Sequence, residues 1–145
     1  MEYQTGKVGR VIVARGFEGE NVYAEIESLA AKEGVSCATV LVVGGIRKGK
    51  VVVGPKDPAK PAEPMFTEFD DAREIVGVGT IFPDEGAPKL HLHAGIGRGK
   101  EPLVGCPRGG ASVFCLLEVV ITEITGVNAS RELDPVMGAK MLRVR

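Results

Sequence analysis

The chain has two histidines, and they stand two residues apart, at His91 and His93. On an extended strand this spacing points both imidazoles to one face, with Cα atoms about 7 Å apart. That suits two ligands converging on one metal ion. A hairpin supplies a third. If Arg98 to Glu101 form a four-residue loop, Gly97 pairs with Pro102, and the same register sets Cys106 opposite His93. Opposite residues have Cβ atoms about 4.5–5.5 Å apart, close enough to share a tetrahedral ion. A slip of one residue would turn Cys106 to the other face. Two imidazoles and a thiolate form a borderline-soft set suited to Zn²⁺. Three protein ligands leave one position for water, a small ligand or a residue of a neighbouring subunit. The first two fit an enzyme or a sensor, the third a structural role. Zn²⁺ with one thiolate keeps one net positive charge, which attracts an anion. Spacing alone leaves a plainer reading open: two strand histidines with satisfied hydrogen bonds beside a buried cysteine.

Other residues are candidates for supporting roles. Glu118 sits among apolar residues on a long strand. Buried, it would need a partner and could hold a histidine N–H or a lysine; at a wet edge it would do neither. Arg98 and Lys100 at the hairpin tip, with Arg108 nearby, form a basic rim that could steer an anion to the metal or touch phosphate. No aromatic residues interleave with it, which argues against stacking on single strands. Cys37 and Cys115 fall inside apolar runs and read as inert core residues. Gly44 to Lys50 joins glycines to basic residues but lacks the spacing and context of a phosphate loop. No serine sits in a Gly-x-Ser-x-Gly elbow, and no histidine is left for a nucleophile triad.

The elements that must position these groups are mostly strands. Lys7–Arg15, Val35–Gly44, Arg47–Gly54, Arg73–Phe82, Lys89–Ile96 with Pro102–Cys106, Ser112–Ile124 and Met141–Val144 read as extended runs. Gly44-Gly45 reads as a turn, and Pro55–Pro64 as an exposed extended loop. The one convincing helix covers Asn21 to Glu33, with Val22, Ile26, Leu29 and Ala30 on one stripe, Asn21 as N-cap and Gly34 at the exit. About seven strands and one helix make an α+β pattern rather than βαβ alternation. One helix covers one sheet face at most, while Val35–Gly44 and Ser112–Ile124 are apolar on both faces. The remaining face needs a second subunit, so the chain is expected to be a homo-oligomer.

With 145 residues the chain has the length of a single domain, 1–145. Eighteen basic and nineteen acidic residues leave a net charge of −1, which disfavours a strongly basic nucleic-acid binder. The longest uncharged stretch, Val35 to Ile46, is too short and glycine-rich to span a bilayer, residues 1–10 lack a secretory core, and three cysteines make no disulfide framework. These features place the protein in a reducing cytoplasm, away from membranes.

The sequence resembles the plants and prokaryotes conserved, or PPC, family over about Gly9 to Leu142. The resemblance rests on the early strand ending at Arg15, Gly19-Glu20 before the helix, Arg73-Glu74-Ile75 with Gly79, and above all Gly86-Ala87-Pro88-Lys89-Leu90-His91-Leu92-His93-Ala94. Gly105, Glu118-Val119 and an Arg131, Asp134, Gly138, Leu142 tail follow. It implies a mainly antiparallel sheet flanked by one helix, a homotrimer, and a histidine cluster resembling a metal site. In prokaryotic members a third histidine commonly follows a glycine downstream. Here Cys106 follows Gly105 at that place, a thiolate standing in for an imidazole. The family's plant members carry AT-hooks, but this sequence has no Arg-Gly-Arg-Pro element. The expectation is a trimeric PPC-like domain whose zinc site, on His91, His93 and Cys106, binds a small anionic ligand or supports assembly. The alternatives are a DNA-binding regulator and a metal-dependent hydrolase or lyase, with metal-bound water as nucleophile and Glu118 or a neighbouring subunit's residue as base.

Overall fold

The computed structural model describes residues 1–108 and 110–145. Along the chain run β1 (Lys7–Phe17), α1 (Val22–Lys32), β2 (Ala38–Pro55), β3 (Pro64–Asp84), β4 (Ala87–Arg98), β5 (Glu101–Arg108), β6 (Ser112–Thr125), β7 (Ala129–Asp134) and β8 (Ala139–Val144). Six strands form one antiparallel sheet in the order β1-β6-β2-β3-β4-β5, and β5 also pairs back onto β2. Strands β2 to β5 therefore close into a small barrel, with β6 and β1 extending the sheet from one side of β2. Strands β7 and β8 form a separate hairpin.

The helix forms where the apolar stripe and caps predict. The Asn21 side chain accepts from the Ala24 N–H at 3.0 Å, and the chain leaves through Gly34 at φ +67°. Val22, Ile26 and Ala30 are buried against the sheet with Val40, Val42, Leu92, Leu117 and Ile121, and Leu29 packs at the margin. On the opposite sheet face the β7–β8 hairpin covers only the end that carries Cys37, Phe82 and Ile124, and no other described layer lies over the rest. Leu41, Val43, Val76, Val78 and Val104 lie on it in adjacent strands, from 46% exposed at Val43 to 69% at Val104. The surplus apolar face inferred from strand patterning is thus present and open within one chain.

Three expectations are corrected. First, Val35–Gly44 and Arg47–Gly54 are one strand, and Gly44-Gly45 makes no turn. A Cβ on Gly44 would lie 2.4 Å from the Leu116 carbonyl oxygen, and one on Gly45 2.5 Å from that of Phe114. The glycine pair lets β6 press onto β2 where the β2–β6 register shifts. Second, Cys115 sits in that irregularity at φ +65°, exposed, with its N–H donated to the Glu18 carboxylate, so it is no core residue. Cys37 is buried as expected. Third, β3 begins at Pro64 and β7 is an additional strand. No described helix is long and apolar enough to cross a membrane.

Candidate metal centre

The site is built where two strands part. The β4–β5 ladder runs from Arg98↔Glu101 through Gly97↔Pro102 to Ala94↔Gly105. The turn is tighter than a four-residue loop, but the register is the expected one. Beyond Gly105, however, β5 leaves β4 and pairs with β2, as Val52↔Cys106, Val51↔Pro107 and Lys50↔Arg108. Gly105 permits the crossing, because a Cβ there would stand 2.1 Å from the Val52 carbonyl oxygen. A wedge opens between His91 and His93 on β4 and Cys106 and Arg108 on β5.

Helix α1 closes the wedge and satisfies backbone groups that the lost ladder would leave bare. Glu27 accepts from the Leu90 N–H at 3.0 Å and pairs with the Lys89 ammonium. The Tyr23 hydroxyl donates to the Pro107 carbonyl oxygen. The helix that covers the core thereby also braces both lips of the site.

Inside the wedge the two imidazoles meet edge to face, centroids 4.9 Å apart, with Nε2 atoms 3.1 Å apart. One ligating atom from each of His91, His93 and Cys106 lies within 4.8 Å of the other two. Zinc bond lengths of about 2.0–2.1 Å to nitrogen and about 2.3 Å to sulfur require roughly 3.3 Å between nitrogens and roughly 3.6 Å from nitrogen to sulfur in a tetrahedral site. The nitrogens are already so spaced, and drawing the three ligating atoms in from within 4.8 Å would complete the set. The donor chemistry therefore fits a soft divalent ion.

The electrostatics fit as well. Burial, then Arg131, His93 and Arg108, push His91 below the usual imidazole value, which keeps it neutral and able to ligate. Burial raises the Cys106 thiol, while Arg108, the Tyr23 hydroxyl and Arg131 pull it back down. Burial likewise raises Tyr23, which therefore stays a donor. A metal would supply what the buried sulfur otherwise lacks, a strong reason to ionise.

Of the other expected residues, Arg108 joins the site and three do not. Arg98 and Lys100 lie at the far end of the hairpin, Arg98 about 16 Å along the strand from His93. Arg98 is paired with Asp71 at 3.1 Å, and Lys100 is exposed at the turn. Glu118 is exposed on β6 beside Arg15 and Val43, with β2 and β3 between it and the histidines. It is solvent-exposed on the open sheet face, in a strand with neighbours on both sides, and lies away from the histidines of its own chain. The unforeseen members are Tyr23 and Arg131. Arg131, on β7, donates from Nη2 to the Thr80 hydroxyl at 3.2 Å, and Thr80 is the cross-strand partner of His91. Its place in the family-like tail was visible in sequence, but nothing local linked it to the histidines.

Comparison with known proteins agrees with this architecture. A metal-containing protein of Archaeoglobus fulgidus superposes with a TM-score of 0.86 at 20% identity, over 97% of this chain and 98% of that one. A plant- and prokaryote-conserved protein of Pyrococcus horikoshii gives 0.83 at 19% identity, over 97% and 96%. A candidate DNA-binding protein of Ralstonia eutropha gives 0.76 at 19% identity, over 92% and 90%. At these identities the likeness is one of fold. No curated protein matches the sequence. The profile of the Plants and Prokaryotes Conserved (PCC) domain matches residues 3–125, most of the chain, and the protein belongs to that family.

Proposed function

We propose that this protein is a single-domain, cytoplasmic member of its family that holds zinc on His91, His93 and Cys106 and offers the ion to a small anionic ligand. The observation that carries this reading is the meeting of three ligating atoms within 4.8 Å at a break in the sheet that α1 braces. The bound ion would supply a fixed positive charge and a Lewis acid beside an existing cluster of cations. The metal-containing relative supports the same reading.

Assembly as a homotrimer is the second part of the proposal. Its support is the open apolar face that carries Leu41, Val43, Val76, Val78 and Val104, together with the resemblance already noted. The family relative described as a candidate DNA binder keeps a regulatory alternative in view. Against it, Lys89, Arg108, Arg131 and Lys140 line one small cavity, not a stripe spaced for backbone phosphates.

Elemental analysis of purified protein tests the metal. About one zinc per chain is expected, falling to near zero in His93→Ala and Cys106→Ala. Equal, near-zero zinc in all three would end the reading. Gel shifts across a salt series test the regulator, and tight duplex binding at low salt would favour it over a small ligand.

A further inference from the structure

A cavity of about 260 Å³ opens beside His91, and Asp84, Lys89, Arg108, Arg131 and Lys140 line it with that histidine. Its contents are unusual in sign. Lys89 is neutralised by Glu27, and Lys140 by Asp84 and Glu85. Arg108 and Arg131 take part in none of the ion pairs found among the described residues. Arg131 is the more telling of the two. Its Nε is buried with no hydrogen-bond partner, and its guanidinium keeps the Thr80 hydroxyl and the Phe82 ring as neighbours. Burial acts against its cationic form, Asp84 across the cavity acts for it, and the charge of Arg108 acts against it again. A buried cation facing another cation is costly unless something negative joins them.

The C-terminal hairpin brings this about. Strands β7 and β8 contribute Arg131 and Lys140, and they lie beyond the residues the family profile matches. Four cations against three carboxylates leave one net positive charge. A divalent ion with one thiolate adds another. The resulting net charge of about +2, the two guanidiniums included, matches a phosphate monoester, which carries about −1.5 to −2 at neutral pH.

We propose that this cavity binds a phosphoryl dianion, with Arg108 and Arg131 as its principal partners and the metal centre at its edge. The inference rests on the metal reading for the second positive charge only; the two arginines would hold the anion without it. Arginine suits the task because its planar fork matches phosphate oxygens in pairs. Lys89 and Lys140, already paired, set the rim.

Titration calorimetry with inorganic phosphate tests this, on the protein as purified and after chelation. The variants Arg131→Gln and Arg108→Gln follow; Arg108 is exposed, so its variant tests the site even should Arg131→Gln misfold. Phosphate is expected to bind more tightly than acetate, and each variant to weaken it at least about tenfold. Chelation is expected to weaken phosphate without abolishing the arginine dependence. Glycerol 3-phosphate bound as tightly as phosphate would assign an esterified ligand, and weaker binding would assign the free ion. Arginine-dependent binding unaffected by chelation supports the cavity and removes the metal from it. Binding that ignores both arginines, acetate bound as tightly as phosphate, or no phosphate binding in either form would overturn the proposal.

Discussion

Replacing Gly105 by alanine tests whether the parting of β4 and β5 creates the site. The added Cβ would meet the Val52 carbonyl oxygen at 2.1 Å, the Val51 side chain at 2.8 Å and the Val52 carbonyl carbon at 3.0 Å. Two of these are backbone atoms inside a ladder and have no rotamer to change. Strand β5 must move off β2, and the pairs Val52↔Cys106 and Val51↔Pro107 loosen with it. Overpacking costs about 1–3 kcal/mol, and weakened ladder bonds add about 1 kcal/mol. An overall loss near 3 kcal/mol lowers the melting midpoint by roughly 6–12 °C in a chain of this length. Zinc retention should fall as well, because Cys106 is the residue that shifts. Gly95→Ala is the control, one step along the same hairpin. Its nearest contact would be the Val76 side chain at 3.7 Å, ordinary van der Waals distance. That variant should be neutral, or more stable by about 0.4–1 kcal/mol through the unfolded chain. Thermal unfolding and zinc content are measured on both. If Gly105→Ala melts with wild type and keeps its metal, the crossing onto β2 does not place the sulfur, and the account of the wedge fails.

Two further outcomes follow from other contacts. Tyr23→Phe removes the donor to the Pro107 carbonyl oxygen and should cost about 1–3 kcal/mol. In metal-stripped protein it should also move the pH midpoint of Cys106 alkylation upward, because the hydroxyl favours the thiolate; an unmoved midpoint would show that it does not act on the sulfur. Val78→Glu places a charge in the middle of the open sheet face without disturbing the core. Light scattering should then report 15.3 kDa in place of three times that mass, with an unchanged circular dichroism spectrum. A trimer that survives the charge, or a wild-type monomer, would remove the sheet face from the proposed interface.

The parts of this structure legible in sequence are those fixed by near neighbours. The α1 stripe and its Asn21 cap are local, and so is the β4–β5 register, which a short turn sets. The pair His91 and His93 needed only the two-residue period of a strand. What escaped depends on distant partners. Gly44-Gly45 carries the composition of a turn, and only the pressure of β6 shows that it is a seat for another strand. Cys115 alternates correctly with Val113 and Leu117 in sequence, yet a left-handed residue breaks the alternation in space. The nearness of Cys106 to His93 was expected from a ladder that has in fact ended; β2 holds the cysteine instead. Arg131 reaches the site through a separate hairpin whose packing against β3 no local pattern announces.

The two histidines share a strand face but not a setting, and the difference bears on how the protein would work. His91 pairs with Thr80, which receives the Arg131 hydrogen bond, and it lines the cationic cavity. His93 pairs with Val78, and the same row continues through Leu41 and Val120 to Val13. Paired residues in adjacent strands point to the same side. His93 therefore stands at the end of the apolar row, and His91 at the mouth of the anion cavity, with ring nitrogens 3.1 Å apart. An ion held by both joins the two surfaces through one set of bonds. On the proposed assembly, a neighbour seated over Val78 would limit the movement of His93, and an anion beside Arg131 would act on His91. Metal affinity would then rise with assembly and with phosphate, each by the same factor in both directions of the linkage.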